Sequence, residues 1–140
     1  MIDTGLIYEF LSEVDSDFIE PLSKNVTLSD LAIKFSTYGT LCYEECEGKI
    51  IALVAGYTEN TPNNIGYISL VAALKAYRNK GVCSRLVSDF LKIAERQKLE
   101  AVHVYTHREN SAAVAMYIKN GFKEINDCSN PALVHFLCTV

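Results

Sequence analysis

The sequence predicts an α/β domain, and three stretches carry that prediction. Ile68-Ser69-Leu70-Val71-Ala72-Ala73-Leu74 is too apolar for a surface strand and reads as a buried one. It feeds the turn Lys75-Ala76-Tyr77-Arg78-Asn79-Lys80-Gly81. Beyond that turn Cys83, Leu86, Val87, Phe90, Ile93 and Ala94 recur at spacings of three and four, as on the apolar face of a helix. Further on, Ala101 to His107 sets Val102, Val104 and Thr106 on one side and His103, Tyr105 and His107 on the other, the alternation of a strand.

The remaining elements follow in order. Leu6, Ile7, Phe10, Leu11 and Val14 repeat at helical spacing, Pro21 interrupts, and a second helix starts after Thr27 or Ser29 with Leu31, Ala32 and Phe35 on its inner face. Gly39 marks a boundary ahead of two strands, Leu41 to Cys46 and Ile50 to Thr58, joined by a turn at Glu47-Gly48. Glu59 to Asn64 is a polar loop leading into the buried strand. After the strand Ala101 to His107, a helix runs from Ser111 to Lys119 and stops at Asn120-Gly121. Phe122 to Asn126 and Leu133 to Cys138 read as closing strands. No linker, repeat or low-complexity tract divides the chain, so residues 1–140 form a single domain.

Composition narrows the function. The chain has 140 residues, 49% of them hydrophobic and 21% charged, with three prolines, which describes a chain able to bury a core. A net charge of −4 argues against nucleic acid or an anionic membrane surface as partner and suits a cationic or amine-bearing substrate. The start lacks a basic n-region with an apolar h-region, and no apolar run approaches the ~18 residues of a membrane span. The expected setting is cytoplasmic. Five cysteines, Cys42, Cys46, Cys83, Cys128 and Cys138, contain no Cys-x-x-Cys pair and are odd in number, so they read as reduced structural thiols.

The turn before the long helix is built to hold an anion. The first amides of a helix lack partners, the helix dipole places partial positive charge there, and Gly81 lets a ligand approach the backbone. Arg78, Lys80 and Arg85 add charge, so a phosphate or pyrophosphate fits. The plainer alternative is a glycine that eases a strand-to-helix turn among solvated basic residues.

Arg78-Asn79-Lys80-Gly81-Val82-Cys83 resembles the Arg/Gln-x-x-Gly-x-Gly/Ala loop of the GNAT superfamily of acyl-CoA N-acyltransferases, with Cys83 where the family has Gly or Ala. A second block, Asn110-Ser111-Ala112-Ala113-Val114-Ala115-Met116-Tyr117 followed by Asn120-Gly121-Phe122, resembles that family's Asn…Tyr…Gly-Phe segment. The resemblance covers roughly residues 40 to 125. It implies a mixed, mostly antiparallel central sheet flanked by helices, whose fourth and fifth strands splay apart to form a cleft for acetyl-CoA. It further implies that the backbone of Val71-Ala72-Ala73 pairs with the pantetheine arm, and that Asn79, Lys80, Gly81, Val82, Cys83 and Ser84 offer amides to the pyrophosphate with charge from Arg78 or Lys80. Asn110, a natural helix N-cap, would also reach the cofactor arm, and Tyr117 would protonate the departing thiolate. The family usually opens with a strand, and residues 1 to 5 are too short to supply one. The expected sheet therefore lacks its first strand, and a homo-oligomer would cover the exposed edge.

The function so implied is transfer of an acetyl group to a primary amine, on a small molecule or a protein, by direct attack. The rival reading is a non-catalytic acyl-CoA-binding sensor or assembly module. A base for the amine is not singled out: Tyr57, Glu59, His103, Tyr105 and His107 are candidates, and their plainer role is that of satisfied or solvated side chains. His103-x-x-x-His107 has the spacing of metal ligands on a helix, but it falls on a strand, and no metal is expected. With no Gly-x-Ser-x-Gly motif, a covalent acyl-enzyme is not expected either.

Overall fold

A computed structural model of the protein describes residues 2–140. The chain runs α1 (Thr4–Val14), α2 (Leu28–Tyr38), β1 (Thr40–Cys46), β2 (Lys49–Tyr57), β3 (Ile65–Ala73), α3 (Val82–Arg96), β4 (Ala101–His107), α4 (Ser111–Lys119), β5 (Lys123–Ile125) and β6 (Leu133–Thr139). Among the described residues, three of the four α-helices have a side-chain cap at their start. Asp3 accepts from the Gly5 amide at 2.6 Å, Thr27 from Asp30 at 3.2 Å and Asn110 from Ala113 at 3.1 Å.

The six strands form one sheet in the order β1-β2-β3-β4-β6-β5. Only β3 and β4 run parallel, because α3 carries the chain back across the sheet between them; every other neighbouring pair is antiparallel. The sheet is mixed and mostly antiparallel, as expected. Among the described residues no strand precedes α1, so β1 and β5 are its edges. The splayed strands foreseen as fourth and fifth are therefore β3 and β4. Two boundaries differ from the sequence reading. β3 begins at Ile65 rather than Ile68, because Ile65 and Gly66 already pair with Ala101 and Val102. Strand β5 shrinks to three residues, since Phe122 turns into the core behind Gly121, whose φ of 95° ends α4.

Each face of the sheet has its own core. On one side α3 and α4 lay Leu86, Val87, Phe90, Ala94 and Tyr117 against Ala52, Val54, Ile68, Val102, Val104, Val134 and Phe136. On the other, Ile7, Phe10, Leu11 and Val14 of α1 and Ala32 and Phe35 of α2 cover Leu53, Ala55 and Leu70. A bulge in the β2–β3 pairing between Ala55 and Gly56 brings Gly56 under Phe90. A Cβ there would meet the Phe90 ring at 2.8 Å and run into the Tyr67 carbonyl oxygen, so only glycine lets the ring sit on bare backbone.

Candidate active site

The pairing of β3 with β4 stops early. It extends from Ile65/Ala101 to Ile68/Val104, yet β3 continues to Ala73 and β4 to His107. Beyond that point β3 pairs only with β2 and β4 only with β6. The two strands diverge into a cleft of about 900 Å³, walled by the end of β3, the start of α3, the end of β4, α4 and the α1–α2 connection.

Strand register decides which backbone groups face this opening. The Leu74 amide donates to the Ile51 carbonyl at 2.9 Å, and Ala72 lies opposite Leu53 and Leu70 opposite Ala55. Alternation along an antiparallel ladder then turns the peptide groups of Ala72 and Leu70 toward β2, and those of Val71 and Ala73 toward the cleft. All three expected residues line the cleft, but only Val71 and Ala73 present backbone donors and acceptors to it. The Ala73 carbonyl already accepts from Arg78 Nε at 3.0 Å.

The turn into α3 lies at one end of the cleft. Gly81 takes φ 78° as N-cap and Asn79 takes φ 63°, a left-handed conformation that asparagine tolerates. Gly81 has no side chain to cap the helix, and its carbonyl accepts the first helical bond from Arg85 at 3.0 Å. The amides of Val82, Cys83 and Ser84 are therefore the unpaired donors of a helix start. Nothing lies within 4 Å of where a Gly81 Cβ would stand, so the approach is open. Asn79, Gly81, Val82, Cys83 and Ser84 all line the cleft; Lys80 is exposed and does not. Arg78 lines it but has partners: its guanidinium binds Asp17 at 2.6 Å, tying the α1–α2 connection to the turn. Arg85 likewise pairs with Glu44 at 3.1 Å. Arg78 and Arg85 are thus paired and Lys80 lies outside the cleft, so the unpaired groups the turn presents to the cleft are its backbone amides.

Tyr117 forms part of the α4 wall. It is 4% exposed, edge-on to Phe122 with ring centroids 5.3 Å apart, and tilted against Phe136 at 5.8 Å. Burial pushes its hydroxyl well above the ordinary phenol value, with the Cys83 thiol and Tyr67 adding to the effect, so it stays protonated at any working pH. Burial also raises the Cys83 thiol, so that the departure from Gly or Ala in this loop places a neutral, half-buried SH group in the wall. Asn110 lines the cleft as the cap of α4, with its side-chain oxygen committed to the Ala113 amide. Asn120, which the sequence reading passed over as a helix stop, donates to Ser84 Oγ and to the Met116 carbonyl, both at 3.0 Å. It binds the end of α4 to the start of α3.

The base candidates separate. Tyr105 and His107 line the cleft. Tyr57 has a buried hydroxyl without a partner and lies opposite Tyr67, whereas Glu59 is exposed on the loop beyond β2. His103 sits beside Tyr105 on the same face of β4, and its Nδ1 lies 2.9 Å from Nε2 of His135. His135, absent from the sequence-derived candidates, in turn reaches Asp127 through Nδ1 at 2.7 Å. Among the described residues no group of three or more His, Cys, Asp or Glu is arranged to hold a metal ion.

Comparison with known proteins agrees with this architecture. The S. lividans PAT GNAT domain superposes with a TM-score of 0.83 at 14% identity, over 99% of this chain and 85% of that one. The PaiA N-acetyltransferase of Thermoplasma acidophilum, solved with coenzyme A, gives 0.75 at 15% identity over 99% and 93%. By sequence, the chain is 27% identical over 95 residues to the chloroplastic GCN5-related N-acetyltransferase 6 of Arabidopsis thaliana. That match takes in 67% of this chain but spans only about a third, 32%, of the relative's length. A profile described as the acetyltransferase (GNAT) family matches residues 7–122, so this chain belongs to the GNAT acetyltransferase family.

Proposed function

We propose that the protein transfers an acetyl group from acetyl-CoA to a primary amine by direct attack. One observation carries the reading. β3 and β4 part at Ile68/Val104, leaving the backbone of Val71 and Ala73 facing a cleft that ends at the unpaired amides of Val82, Cys83 and Ser84. Such a site offers an open strand edge for an amide-bearing arm and a helix start for a pyrophosphate. Acetyl-CoA has both features and supplies the activated acyl group.

Each wall has a task in this reaction. The Val71 amide, facing the opening, can donate to a thioester carbonyl and to the oxyanion that develops on attack. Tyr117 holds its proton at the α4 wall. A thiolate leaving into this desolvated pocket is itself made more basic by burial, so a phenol with a raised pKa remains matched to it as proton donor. Of the carboxylates lining the cleft, Asp17 is taken by Arg78 and Glu20 lies 3.6 Å from Lys24, which leaves Glu109 to favour an ammonium or amine over an anion.

The test is a panel of small amines, amino acids and peptide N-termini incubated with acetyl-CoA, following release of free CoA thiol. Turnover with at least one amine, together with saturable binding of acetyl-CoA by calorimetry, is expected. Binding without turnover on any amine would leave a sensor, and no binding would remove the acyl-CoA site altogether.

A further inference from the structure

The α3/α4 face of β4 gives Val102 and Val104 to the core and ends at Thr106 in the cleft, but the opposite face carries a connected polar group that the acyl-donor site does not use. His103 and Tyr105 stand there on β4, and His135 and Leu137 beside them on β6, with Tyr105 opposite His135 and His103 opposite Leu137. Tyr67 of β3 lies opposite His103, with ring centroids 5.0 Å apart. Tyr105 stacks on His135 at 4.1 Å and 13° and meets His103 edge-on at 5.9 Å. Although His135 is 7% exposed, both its ring nitrogens have partners, Asp127 Oδ1 at 2.7 Å and His103 Nδ1 at 2.9 Å.

The order of these bonds fixes the protons. An ionised carboxylate only accepts, so the Asp127 bond requires hydrogen on His135 Nδ1. His135 Nε2 in a neutral ring must then be the acceptor, and His103 Nδ1 the donor to it. That leaves the lone pair of His103 on Nε2, the one ring nitrogen of the three-residue chain without a partner.

We propose that His103 is the general base for the acceptor amine, with His135 and Asp127 as positioning residues that hold it in the Nδ1–H form and share the proton it takes. The inference rests on the transferase reading above. His103 lies behind the cleft wall, its ring 5.9 Å from that of Tyr105, which lines the cleft, so the acceptor's proton reaches Nε2 through ordered water rather than by direct contact. As the acceptor nitrogen forms its bond to the acyl carbon, it gives up one proton to His103 Nε2. The Nδ1 proton of His103 then moves to Nε2 of His135, placing the positive charge beside Asp127, while Tyr117 gives its proton to the departing sulfur. Solvent takes the relay's proton and returns one to Tyr117 to complete the cycle.

Burial and the neighbouring His135 hold the His103 ring below the usual imidazole range, with Asp127 pulling partly the other way, so His103 is neutral and able to accept at neutral pH. The other titratable groups sharing this face are Tyr57 of β2, Tyr67 of β3, His107 of β4 and Lys123 of β5, which register places in line with Leu137. The tyrosines are neutral near pH 7, and Tyr67 is pushed further up by burial, so within the face the carboxylate of Asp127 is the charge in contact with the histidine pair.

Two measurements on the whole chain test this. Nitrogen-15 NMR of the ring nitrogens at pH 7.5 is expected to report His103 as the Nδ1–H form, lost in Asp127→Asn, where the amide can donate to His135 and reverse the order. With the amine that gives best turnover, His103→Gln is expected to lower kcat ~10²-fold or more at unchanged acetyl-CoA affinity. Asp127→Asn should lower kcat several-fold and displace the acidic limb of its pH profile, which a merely structural pair would leave in place. An Nε2–H His103 in the wild type, or a pH profile identical in Asp127→Asn, would overturn the relay while leaving the transferase intact. Failure of every amine to turn over would instead bring down the transferase reading, and the relay's role with it.

Discussion

The two faces of the sheet are built from the same strands and do different work. Under α3 and α4 the strands are apolar up to Thr106 at the cleft, and Ile68, Val102, Val104, Val134 and Phe136 are all nearly inaccessible. Across the sheet α1 and α2 cover Leu53, Ala55 and Leu70, but their apolar cluster takes in no residue of β4, β5 or β6. There Tyr67, His103, Tyr105 and His135 replace aliphatic residues, and each polar atom must find a partner or water. Cover by two helices goes with an almost wholly hydrophobic face; beyond the reach of α1 and α2 the other face carries hydrogen-bonded side chains instead.

This contrast can be broken at several points. The largest effect is expected from Phe90→Ala. The ring is fully buried against Gly56, and its removal should cost about 3–5 kcal/mol, read as a lower denaturant midpoint at unchanged m. A loss below about 1 kcal/mol would mean that this face is not the tight one.

Tyr117→Phe sharpens the comparison, because Tyr117 belongs to the apolar face yet lines the cleft. The ring packing is kept, so acetyl-CoA affinity and stability should hold while the single-turnover rate falls ~10²-fold, about 2.7 kcal/mol in the barrier. Equal rates would remove it from the mechanism and make water the proton donor.

A smaller change is expected from Gly81→Val, which forces a β-branched residue to φ 78° and fills the open space over the α3 start. Acetyl-CoA affinity should drop ~10-fold or more, about 1.4 kcal/mol, because the side chain stands where a phosphate would approach the amides; the left-handed strain of about 1–2 kcal/mol falls on stability instead. Unchanged affinity in a folded variant would dismiss the turn as a phosphate site.

Arg78→Ala should do least. Its guanidinium is shared between Asp17 and the Ala73 carbonyl at a partly exposed position, a kind of pair worth about 0–1 kcal/mol. Titration should give an affinity within ~5-fold of wild type, since that is about 1 kcal/mol. A much larger, salt-sensitive loss would show that Arg78 leaves Asp17 for the phosphate.

Local periodicity made much of this molecule legible. The boundaries of β4 and α4 follow directly from the alternation at Val102, Val104 and Thr106 and from the Asn120-Gly121 stop. The turn at Gly81 was readable because a positive φ at a helix start calls for glycine. That Arg78 is paired could not be read along the chain, since its partner Asp17 lies 61 residues away, and His135 was overlooked because it meets His103 across 32 residues. Pattern along a chain carries no information about such pairs. Nor could it tell Val71 from Ala72: their opposite backbone directions depend on how β3 registers against β2 beyond the bulge at Ala55/Gly56.

By itself, then, the sequence determined which segments are helix or strand, where the glycine turn into α3 falls, and the family, because propensity, capping and motif spacing act over a few residues. Only the tertiary structure decided where β3 and β4 part, which amides face the opening, which cations are already neutralised, and that two histidines and an aspartate form one hydrogen-bonded chain. Those are contacts between distant segments, and they exist only once both faces of the sheet have been packed.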